Sequence, residues 1–469
     1  MPTSRSIAPA APPPGGARAW LGGLGAAASV GLAMAWLWGF TVDDALITCR
    51  VAAHLAQGLG YRFNVPGPVV DAVTPLGFAY LLAPFAGAGP LAALQAAKWL
   101  GALLTALAVF GVGRRIWLRT SPAYGAALVL CLAVTAPISA WGVSGMETGL
   151  VTFLAVGALG QGRLADFSAA LSAALRPELA PWCCAVRLGF RIQSRAPLGR
   201  ALSSPVLVLG AVALVGAVRS LAFGRAAPLS VFAKPSDLAH GVSYAVHAFV
   251  QTGLPLLCVA PWSLQRGAPV ARVVAVAGAA HFIALVLAGG DWMTLYRLAV
   301  PILPSFVLGA AELWRVAPAW ASWLRAGASF AMSVYLAVMV GPAARRVGPD
   351  RAQLIEAARA PLASAKVVAA LDVGWVGAAG DFQVVDLAGV TDETVAMLPG
   401  GHTSKRIGDG LLRGRNVDTL VLLAYPPHDE PAREVERRVS MTSTAEAFEI
   451  KARLPFAGGK QHYLVLRAP

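Results

Sequence analysis

The sequence predicts a polytopic α-helical membrane protein with a C-terminal α/β domain. Of its 469 residues, 57% are hydrophobic and only 13% are charged, and the mean hydropathy is +0.63. A soluble globular protein of this length does not need so much apolar surface. Apolar runs of spanning length recur through the first three-quarters of the chain. After Gly341 they give way to mixed, charged sequence with short strand-like stretches.

The apolar runs predict nine membrane crossings. They lie near residues 19–40, 91–112, 123–138, 148–160, 201–223, 245–264, 270–288, 296–311 and 319–340. Two further apolar stretches, 74–86 and 167–185, are interrupted by proline or charge, which favours half-helices or re-entrant segments. We therefore predict a disordered cytoplasmic N-terminus (1–18), a membrane domain (19–341) and a soluble domain (342–469).

Arginines between the runs set the predicted orientation, because cytoplasmic loops of membrane proteins are enriched in basic residues. The groups that we assign to the cytoplasm are Arg5 and Arg18; Arg114, Arg115 and Arg119; Arg187, Arg191, Arg195 and Arg200; Arg266 and Arg272; and Arg315 and Arg325. This assignment predicts a multi-pass protein of the cytoplasmic membrane with an external, periplasmic C-terminal domain. The net charge of +14 favours anionic membrane lipids as partners, and no nucleic-acid-binding pattern is present.

The C-terminal domain is predicted from five strand-like runs with helical sequence between them. They lie near residues 366–371, 383–386, 417–423, 447–454 and 462–466. A local polar cluster at 400–406 contains His402, which we interpret either as part of a polar loop or as a glycan or phosphate contact. The segment 372–377 is glycine-rich after a strand but lacks the G-x-G-x-x-G spacing, so it predicts no nucleotide site.

Two adjacent carboxylates, Asp43 and Asp44, follow the first apolar run. A single aspartate at the bilayer centre costs about 2.5–3.5 kcal/mol, and less near the interface. The two residues could simply end one helix and cap the next. Alternatively, one of them is a general base that faces a water-filled cavity at the outer membrane surface.

The predicted orientation brings polar side chains from four external loops to one side of the bilayer. They are Asp43, Asp44, Arg50 and Thr74 in the first loop, Glu147 in the second, Lys234, His240 and Tyr244 in the third, and Asp291, Trp292, Tyr296 and Arg297 in the fourth. Carboxylates, cations and aromatic rings together suit sugar transfer from a lipid-linked donor. That reaction needs a base for the acceptor hydroxyl and cations for the leaving phosphate.

The predicted site divides these residues by their chemistry. Asp43 or Asp44 is the base; the donor phosphate and sugar contact Arg50, Lys234, Asp291, Trp292, Tyr296 and Arg297; and the acceptor-side or structural residues are Thr74, Glu147, His240, Tyr244 and His402. Structural alternatives stay open: Lys234 and Arg297 could be interfacial, Asp291 could pair with Arg297, and Glu147 could cap the next helix. We predict that Arg176 and Glu178 lie on the inner side as a structural ion pair.

Several segments, in order along the chain, resemble one known family. They are residues 43–50 (DDALITCR), 55–64 (LAQGLGYRFN), 73–76 (VTPL), 144–148 (SGMET), 176–178 (RPE), 227–234 (APLSVFAK), 289–293 (GGDWM), 372–374 (DVG), 386–389 (DLAG) and 401–402 (GH). The pattern is similar to that of the polyprenyl-phosphate-dependent membrane glycosyltransferases of the GT-C fold. This family includes the mycobacterial terminal β-(1→2) arabinofuranosyltransferase. The third loop departs from the family in having Leu229-Ser230 where its members usually show Asn-Thr.

The resemblance implies a GT-C-like inverting glycosyltransferase active on the outer face of the cytoplasmic membrane. Its donor would be a polyprenyl-phosphate-linked sugar, and its acceptor an envelope glycan, lipid or protein. The family's catalytic acid corresponds to Asp43, with Asp44 beside it. No full metal-ligand set is visible, which favours a metal-independent mechanism, with a divalent cation at the paired acids as the alternative. A flippase or transporter of lipid-linked sugars, and a non-catalytic envelope scaffold, remain alternative functions, although no internal repeat is present.

Overall fold

A computed structural model describes residues 16–265 and 267–469. The predicted disordered N-terminus therefore falls largely outside the described residues, as do Arg5 and Arg266. Residues 16–18, which we assigned to that N-terminus, are the first turn of a helix.

Helices dominate the chain up to residue 344. They are α1 (Gly16–Trp36), α2 (Asp43–Ala56), α3 (Phe78–Leu82), α4 (Pro90–Trp117), α5 (Pro122–Val134), α6 (Ala136–Gly142), α7 (Thr148–Ala158), α8 (Gly162–Leu175), α9 (Ala180–Gln193), α10 (Leu198–Phe223), α11 (Leu229–Ala233), α12 (Leu238–Gln251), α13 (Pro269–Leu287), α14 (Leu303–Leu313) and α15 (Ala319–Ala344). Short 3-10 helices lie between some of them, at Ala83–Phe85, Pro177–Leu179, Leu254–Cys258, Pro261–Leu264, Thr294–Tyr296 and Val300–Ile302.

Within the described residues, five helical segments are long and apolar enough to span a membrane. They are Gly16–Trp36, Pro90–Trp117, Leu198–Phe223, Pro269–Leu287 and Ala319–Leu362. A sixth span is formed if α5 and α6, which meet at a bend of 55°, count as one. Large apolar side chains on these helices, such as Leu32 and Leu221, are exposed, as lipid-facing residues are. The chain is thus a multi-pass helical membrane protein, as predicted.

Four of the nine predicted spans are not single long helices, and the bent α5–α6 pair at 123–138 is the first of them. The run at 148–160 forms only the 11-residue α7. The run at 245–264 breaks after α12, where Gly253 has φ of +72° and Pro255 and Pro261 begin separate 3-10 turns. The run at 296–311 is divided between a 3-10 turn that contains Pro301 and the 11-residue α14. Proline removes a backbone donor and clashes with the preceding turn, so apolar composition alone overestimated the number of continuous spans.

The interrupted segment at 167–185 is a helical hairpin, as the sequence indicated. Helix α8 ends at Leu175 and α9 begins at Ala180. The Arg187 guanidinium on α9 donates to the carbonyls of Ala158 and Gly160, each at 2.9 Å, just before α8 begins. The start of α8 and the end of α9 therefore lie close together. The turn that joins the two helices, residues 176–179, forms the tip of the hairpin at its opposite end. The stretch 74–86 likewise forms only the five-residue α3 and a 3-10 turn.

The C-terminal region combines helices with one mixed sheet. Its helices are α16 (Val347–Leu362), α17 (Val373–Ala379), α18 (Glu393–Ala396), α19 (Asp409–Gly414), α20 (Glu434–Ser440) and α21 (Ser443–Glu446). Its strands are β1 (Val367–Ala370), β2 (Gln383–Asp386), β3 (Thr419–Tyr425), β4 (Glu430–Pro431), β5 (Glu449–Phe456) and β6 (Gln461–Arg467). All five predicted strands are present, and the two-residue β4 is the addition.

The sheet has the order β2-β1-β3-β6-β5, and β4 pairs with β3. Strands β2, β1 and β3 are parallel, whereas β6 and β5 are antiparallel to their neighbours. One buried apolar cluster runs from Ala26 on α1 through α2 to Val465 on β6. Because this core is continuous, the sheet region is packed firmly against the membrane helices, and α17 lies directly on α2.

Candidate functional site

Two polar cavities meet at the N-terminus of α2. The first, which we call the helical cavity, has a volume of about 370 Å³. Its polar lining consists of Asp44, Thr48, Thr74, Glu147, Arg176, Glu178, Ser230, Lys234, Ser236, Asp291 and Arg297. The second, the sheet cavity, has a volume of about 320 Å³. Its polar lining consists of Asp43, Asp44, Lys234, Trp292, Thr294, Arg351, Asp372, Asp386, His402, Thr403 and Arg433.

Asp44 lies where the two cavities adjoin. Asp44, Ile47, Lys234 and Val390 line both of them. The Asp44 carboxylate lies 3.7 Å from the Lys234 ammonium, with the two side chains 29% and 22% exposed. No described residue donates a hydrogen bond to the Asp44 side chain. Its oxygens are therefore free to accept a proton or a ligand hydroxyl.

Asp43 is engaged by the C-terminal region. Its carboxylate accepts hydrogen bonds from the amides of Gly374 (2.7 Å) and Trp375 (2.9 Å) at the N-terminus of α17. A Cβ at position 374 would lie 2.1 Å from the Asp43 carbonyl oxygen, so this approach requires glycine. Asp43 therefore caps a helix, as one interpretation of the sequence proposed, but that helix is α17 and not α2. It also gives the glycine-rich segment 372–377 a structural role.

The environment of Asp43 favours its protonated form. Burial raises the pKa of Asp43 to about 7, the neighbouring carboxylate of Asp372 adds to this rise, and Arg351 and the two amides oppose it. The Arg351 guanidinium lies 3.8 Å away. The raised pKa alone would suit a general base. However, both oxygens of Asp43 are held by backbone amides, so Asp43 is less free to approach an acceptor hydroxyl than its neighbour Asp44.

Buried cations line the helical cavity. Arg297 is 8% exposed, its Nε lies 2.9 Å from Asp291, and its guanidinium lies 5.6 Å from the centre of the Trp141 ring. Burial alone would lower the pKa of Arg297, but Asp291, Glu147 and Asp44 raise it above its ordinary value. Burial likewise opposes ionisation of Asp291, yet Arg297, Lys234 and Arg176 hold its pKa below the usual range. Both groups therefore remain charged.

The tip of the α8–α9 hairpin enters the same cavity, which corrects our placement of Arg176 and Glu178 on the inner side. Arg176 Nε lies 2.9 Å from Glu147 and 3.5 Å from Glu178. Glu147 is fully buried and is paired rather than capping α7. Thr74 and Ser230 also line this cavity, and their hydroxyl groups lie 3.0 Å apart.

The sheet cavity is built at the carboxyl ends of two parallel strands. Asp372 follows β1 and Asp386 ends β2, and this edge of an α/β sheet is where ligands usually bind. Arg433 donates to both oxygens of Asp372 at 3.1 and 2.8 Å, and the Tyr463 hydroxyl donates at 2.6 Å. Asp386 accepts from the Thr391 amide at 2.6 Å, and burial raises its pKa to about 6.

Aromatic rings border the sheet cavity. Trp292 is 58% exposed and stacks on His240, with ring centres 3.9 Å apart and planes 9° from parallel. His402 lies 5.5 Å from the same indole ring. Burial, together with the positive charge of Lys234, lowers the pKa of His402 to about 4. A neutral imidazole and an exposed indole thus face the same space.

Four predicted contact residues lie outside both cavities. Arg50 is 3% exposed and donates to the carbonyls of Phe63, Gly377, Gly380 and Phe382. Position 50 is two helical turns after 43, so Arg50 faces α17 as Asp43 does. The guanidinium is fully used there, and we do not retain Arg50 as a phosphate ligand.

The other three support the loops around the cavities. The Tyr296 hydroxyl donates to Gln251 at 2.6 Å, and the Tyr244 hydroxyl accepts from the Leu298 amide at 3.1 Å. His240 Nδ1 lies 2.7 Å from the Gly289 carbonyl oxygen. These contacts favour the structural alternative for Tyr244 and His240 and remove Tyr296 from the donor-contact set.

The candidate set from the sequence omitted four charged residues of the sheet cavity. They are Arg351, Asp372, Asp386 and Arg433, which come from parts of the chain far from the external loops that the sequence analysis considered. Asp372 carried a usable signal, since it follows a buried strand directly. Arg433 lies between β4 and α20, and no local pattern marks it.

Among residues 16–265 and 267–469, no group of three or more His, Cys, Asp or Glu side chains is arranged to hold a metal ion. Comparison of the chain with protein-family models, curated proteins and solved structures found no match.

Proposed function

We propose that this protein is a GT-C-type membrane glycosyltransferase that moves a sugar from a polyprenyl-phosphate donor to a cell-envelope acceptor. One observation carries the proposal: the carboxylate of Asp44, which accepts no hydrogen bond from any described residue, lies between two cavities and faces Lys234 at 3.7 Å. The proposal assigns the general base to Asp44 and leaves Asp43 as the residue that holds α17.

The transfer is a single inverting displacement. Asp44 takes the proton of the acceptor hydroxyl, whose oxygen bonds to the anomeric carbon as the bond from that carbon to the phosphate oxygen breaks. The electron pair of the broken bond leaves with the polyprenyl phosphate. Lys234 and Arg297 stabilise the added negative charge, because preorganised cations act strongly in a site that excludes bulk water.

An apolar groove beside the helical cavity supports a lipid-linked donor. This groove, with a volume of about 390 Å³, lies between α12 and α13 and is lined by residues such as Phe249, Phe282 and Val286. Leu287, the next residue along α13, lines the helical cavity. A lipid tail in the groove would therefore deliver its phosphate towards Arg297 and Lys234.

The sheet cavity suits a polar sugar or acceptor. It offers an exposed indole face at Trp292, a neutral imidazole at His402 and the Arg433–Asp372 pair. Hydroxyl groups can donate to the carboxylates and accept from the guanidinium. Since Asp44 also lines this cavity, an acceptor hydroxyl placed here would lie within reach of the base.

The proposal is tested in a strain that lacks the protein. We expect its envelope to lack one glycosyl residue, which the parent gene restores. Asp44→Asn should restore less than about 1% of that residue, because loss of a general base costs about 10²- to 10⁴-fold. The control is Asp350→Asn, a carboxylate outside both cavities, which should restore it fully.

Equal restoration by Asp44→Asn and the parent, at equal protein levels in the membrane, would remove the proposed base. A flippase predicts a different result. The envelope residue would again be missing, but the polyprenyl-linked sugar would accumulate in the inner leaflet, and purified protein would move it without any acceptor.

A further inference from the structure

A third polar cavity lies away from the candidate site. We call it the arginine cavity; it has a volume of about 800 Å³. Five arginines line it, namely Arg115, Arg119, Arg187, Arg191 and Arg272, and no aspartate or glutamate does among the described residues. The end of α4, the turn before α8, the end of α9 and the start of α13 bound this cavity.

The arginine cavity and the helical cavity lie at opposite ends of the membrane helices. Pro269 and Val270, at the start of α13, line the arginine cavity, whereas Leu287, at the end of α13, lines the helical cavity. At 1.5 Å per residue, α13 with its 19 residues spans about 28 Å. This length is close to the hydrocarbon thickness of a bilayer, about 30 Å. The two cavities therefore lie near opposite membrane faces.

The positive charge of the arginine cavity is only partly balanced. Arg187 and Arg191 share Asp166, at 2.8 and 2.5 Å, and Arg119 lies 3.8 Å from Glu312. Two carboxylates thus balance the charge of only two of these three arginines. Nε of Arg191 is buried and has no hydrogen-bond partner among the described residues.

The remaining two arginines have no counter-charge among the described residues. Arg115 reaches only the Leu159 carbonyl, at 3.4 Å, and Arg272 forms no ion pair or side-chain hydrogen bond there. Clustered guanidinium groups repel one another and lose solvation in a cavity unless an anion joins them. An anion with several acceptor oxygens, such as a phosphate ester, would supply the counter-charge that the described part of the chain does not.

We propose that the arginine cavity binds the phosphate head group of an anionic phospholipid. Its walls also carry apolar side chains, among them Leu118, Phe190 and Val270. Leu118 in the cavity wall is 60% exposed, and Ile192, which follows Arg191 in the chain, is 62% exposed, so acyl chains could contact both side chains. Basic pockets between membrane helices at the cytoplasmic side are typical sites for such lipids, and the arginine distribution assigns this end to the cytoplasm. A free phosphate compound shares the head-group chemistry but has no use for these apolar walls.

The test compares the full-length protein in nanodiscs of phosphatidylcholine alone and of phosphatidylcholine with phosphatidylglycerol. A bound lipid stabilises the folded state by mass action. We expect phosphatidylglycerol to raise the unfolding temperature of the parent and to remain bound to it in native mass spectrometry. In Arg115→Gln/Arg272→Gln, at least half of both effects should be lost.

The matched control is Arg195→Gln/Arg200→Gln. It removes the same charge from the same end of the protein, outside the cavity, and should keep both effects. Equal responses of the two double variants to phosphatidylglycerol would overturn the proposed site. If inorganic phosphate added to the phosphatidylcholine discs reproduced the full stabilisation, the ligand would be a free anion and the lipid assignment would be wrong.

Discussion

The two ends of the membrane helices are built differently. At the candidate-site end, the cavities contain both signs of charge. The C-terminal region supplies more than half of the residues that line the sheet cavity, among them Asp372, His402 and Arg433. At the other end, the arginine cavity carries one sign of charge and is lined by residues that all precede residue 309. Mixed charges suit the proposed transfer, in which Asp44 takes a proton and cations stabilise the phosphate that leaves the sugar. Positive charge alone suits the binding of an anion that stays in place.

This difference matches the two proposed roles, which are sugar transfer at one end and retention of a lipid head group at the other. Asp44 and Lys234 are partly exposed and interact only at 3.7 Å, so each can exchange its partner for a ligand. Arg187 is 2% exposed and is held by several hydrogen bonds. Such a residue can shape a cavity but changes little during turnover.

The largest expected effect tests whether the C-terminal region is an integral part of the candidate-site end. Arg50→Ala should lower the free energy of unfolding by on the order of 3–5 kcal/mol, because it leaves several buried carbonyls without their charged donor. The measurement is denaturant unfolding in detergent, followed by limited proteolysis of the C-terminal region.

The matched control is Arg225→Ala. Arg225 also links the helices to the C-terminal region, through Glu393 at 2.5 Å, but this pair is exposed. It should cost no more than about 1 kcal/mol. Equal costs for the two variants would contradict the assignment of Arg50 as the main polar connection. In Arg50→Ala protein that remains folded, stabilisation by phosphatidylglycerol should persist, since the arginine cavity does not involve the sheet.

The next effect concerns the cation beside the proposed base. Lys234→Ala should reduce restoration of the envelope sugar by about 10²-fold, a loss typical of removing one electrostatic contact to a transition state. Stability should change by less than about 1 kcal/mol because the Asp44–Lys234 pair is partly exposed. Lys366→Ala removes an exposed lysine from the C-terminal region and serves as the control. Full activity of Lys234→Ala would remove this residue from the site.

The smallest effect is a pH dependence confined to the candidate-site end. Because the pKa of Asp43 is raised to about 7 in the folded protein, the folded state binds a proton between about pH 4 and pH 7 that the unfolded state releases. Stability from this group is therefore lost as the pH rises through that window, by on the order of 1–4 kcal/mol.

Other groups at this end titrate in the same range. Asp386 acts in the same direction as Asp43, whereas His402, whose pKa falls to about 4, contributes stability that increases with pH between about 4 and 6.5. The informative quantity is therefore the difference between the parent and Asp43→Asn. Unfolding temperatures at about pH 4.5 and pH 7.5 should show a smaller decrease in the variant. An identical decrease in the parent and the variant would contradict the raised pKa of Asp43. The residues of the arginine cavity should not contribute to the pH dependence of stability in this range.

Composition and periodicity predicted the helical membrane region, the five strands and the clustering of Asp44, Lys234, Asp291 and Arg297. These features follow from local pattern and from the side of the membrane on which a loop lies. The continuous spans at 148–160, 245–264 and 296–311 were wrong, because proline and glycine positions break helices that hydropathy alone would extend.

The different environments of Asp43 and Asp44 could not be predicted from sequence. Which of two adjacent carboxylates contacts α17 depends on packing between segments more than 300 residues apart. Arg50 was assigned to the phosphate for the same reason, since its carbonyl partners in the C-terminal region are distant in sequence. The placement of Arg176 required the depth of the α8–α9 hairpin, which charge counting does not give.

The most direct test of the account compares Asp44→Asn with Asp43→Asn in one transfer assay. Both variants, in membranes from the deletion strain and matched for folded protein, are given the polyprenyl-linked sugar fraction of that strain. We predict that Asp44→Asn loses about 10²- to 10⁴-fold of the transfer rate, while Asp43→Asn loses no more than tenfold. An inactive Asp43→Asn beside a fully active Asp44→Asn would contradict the assignment of the base.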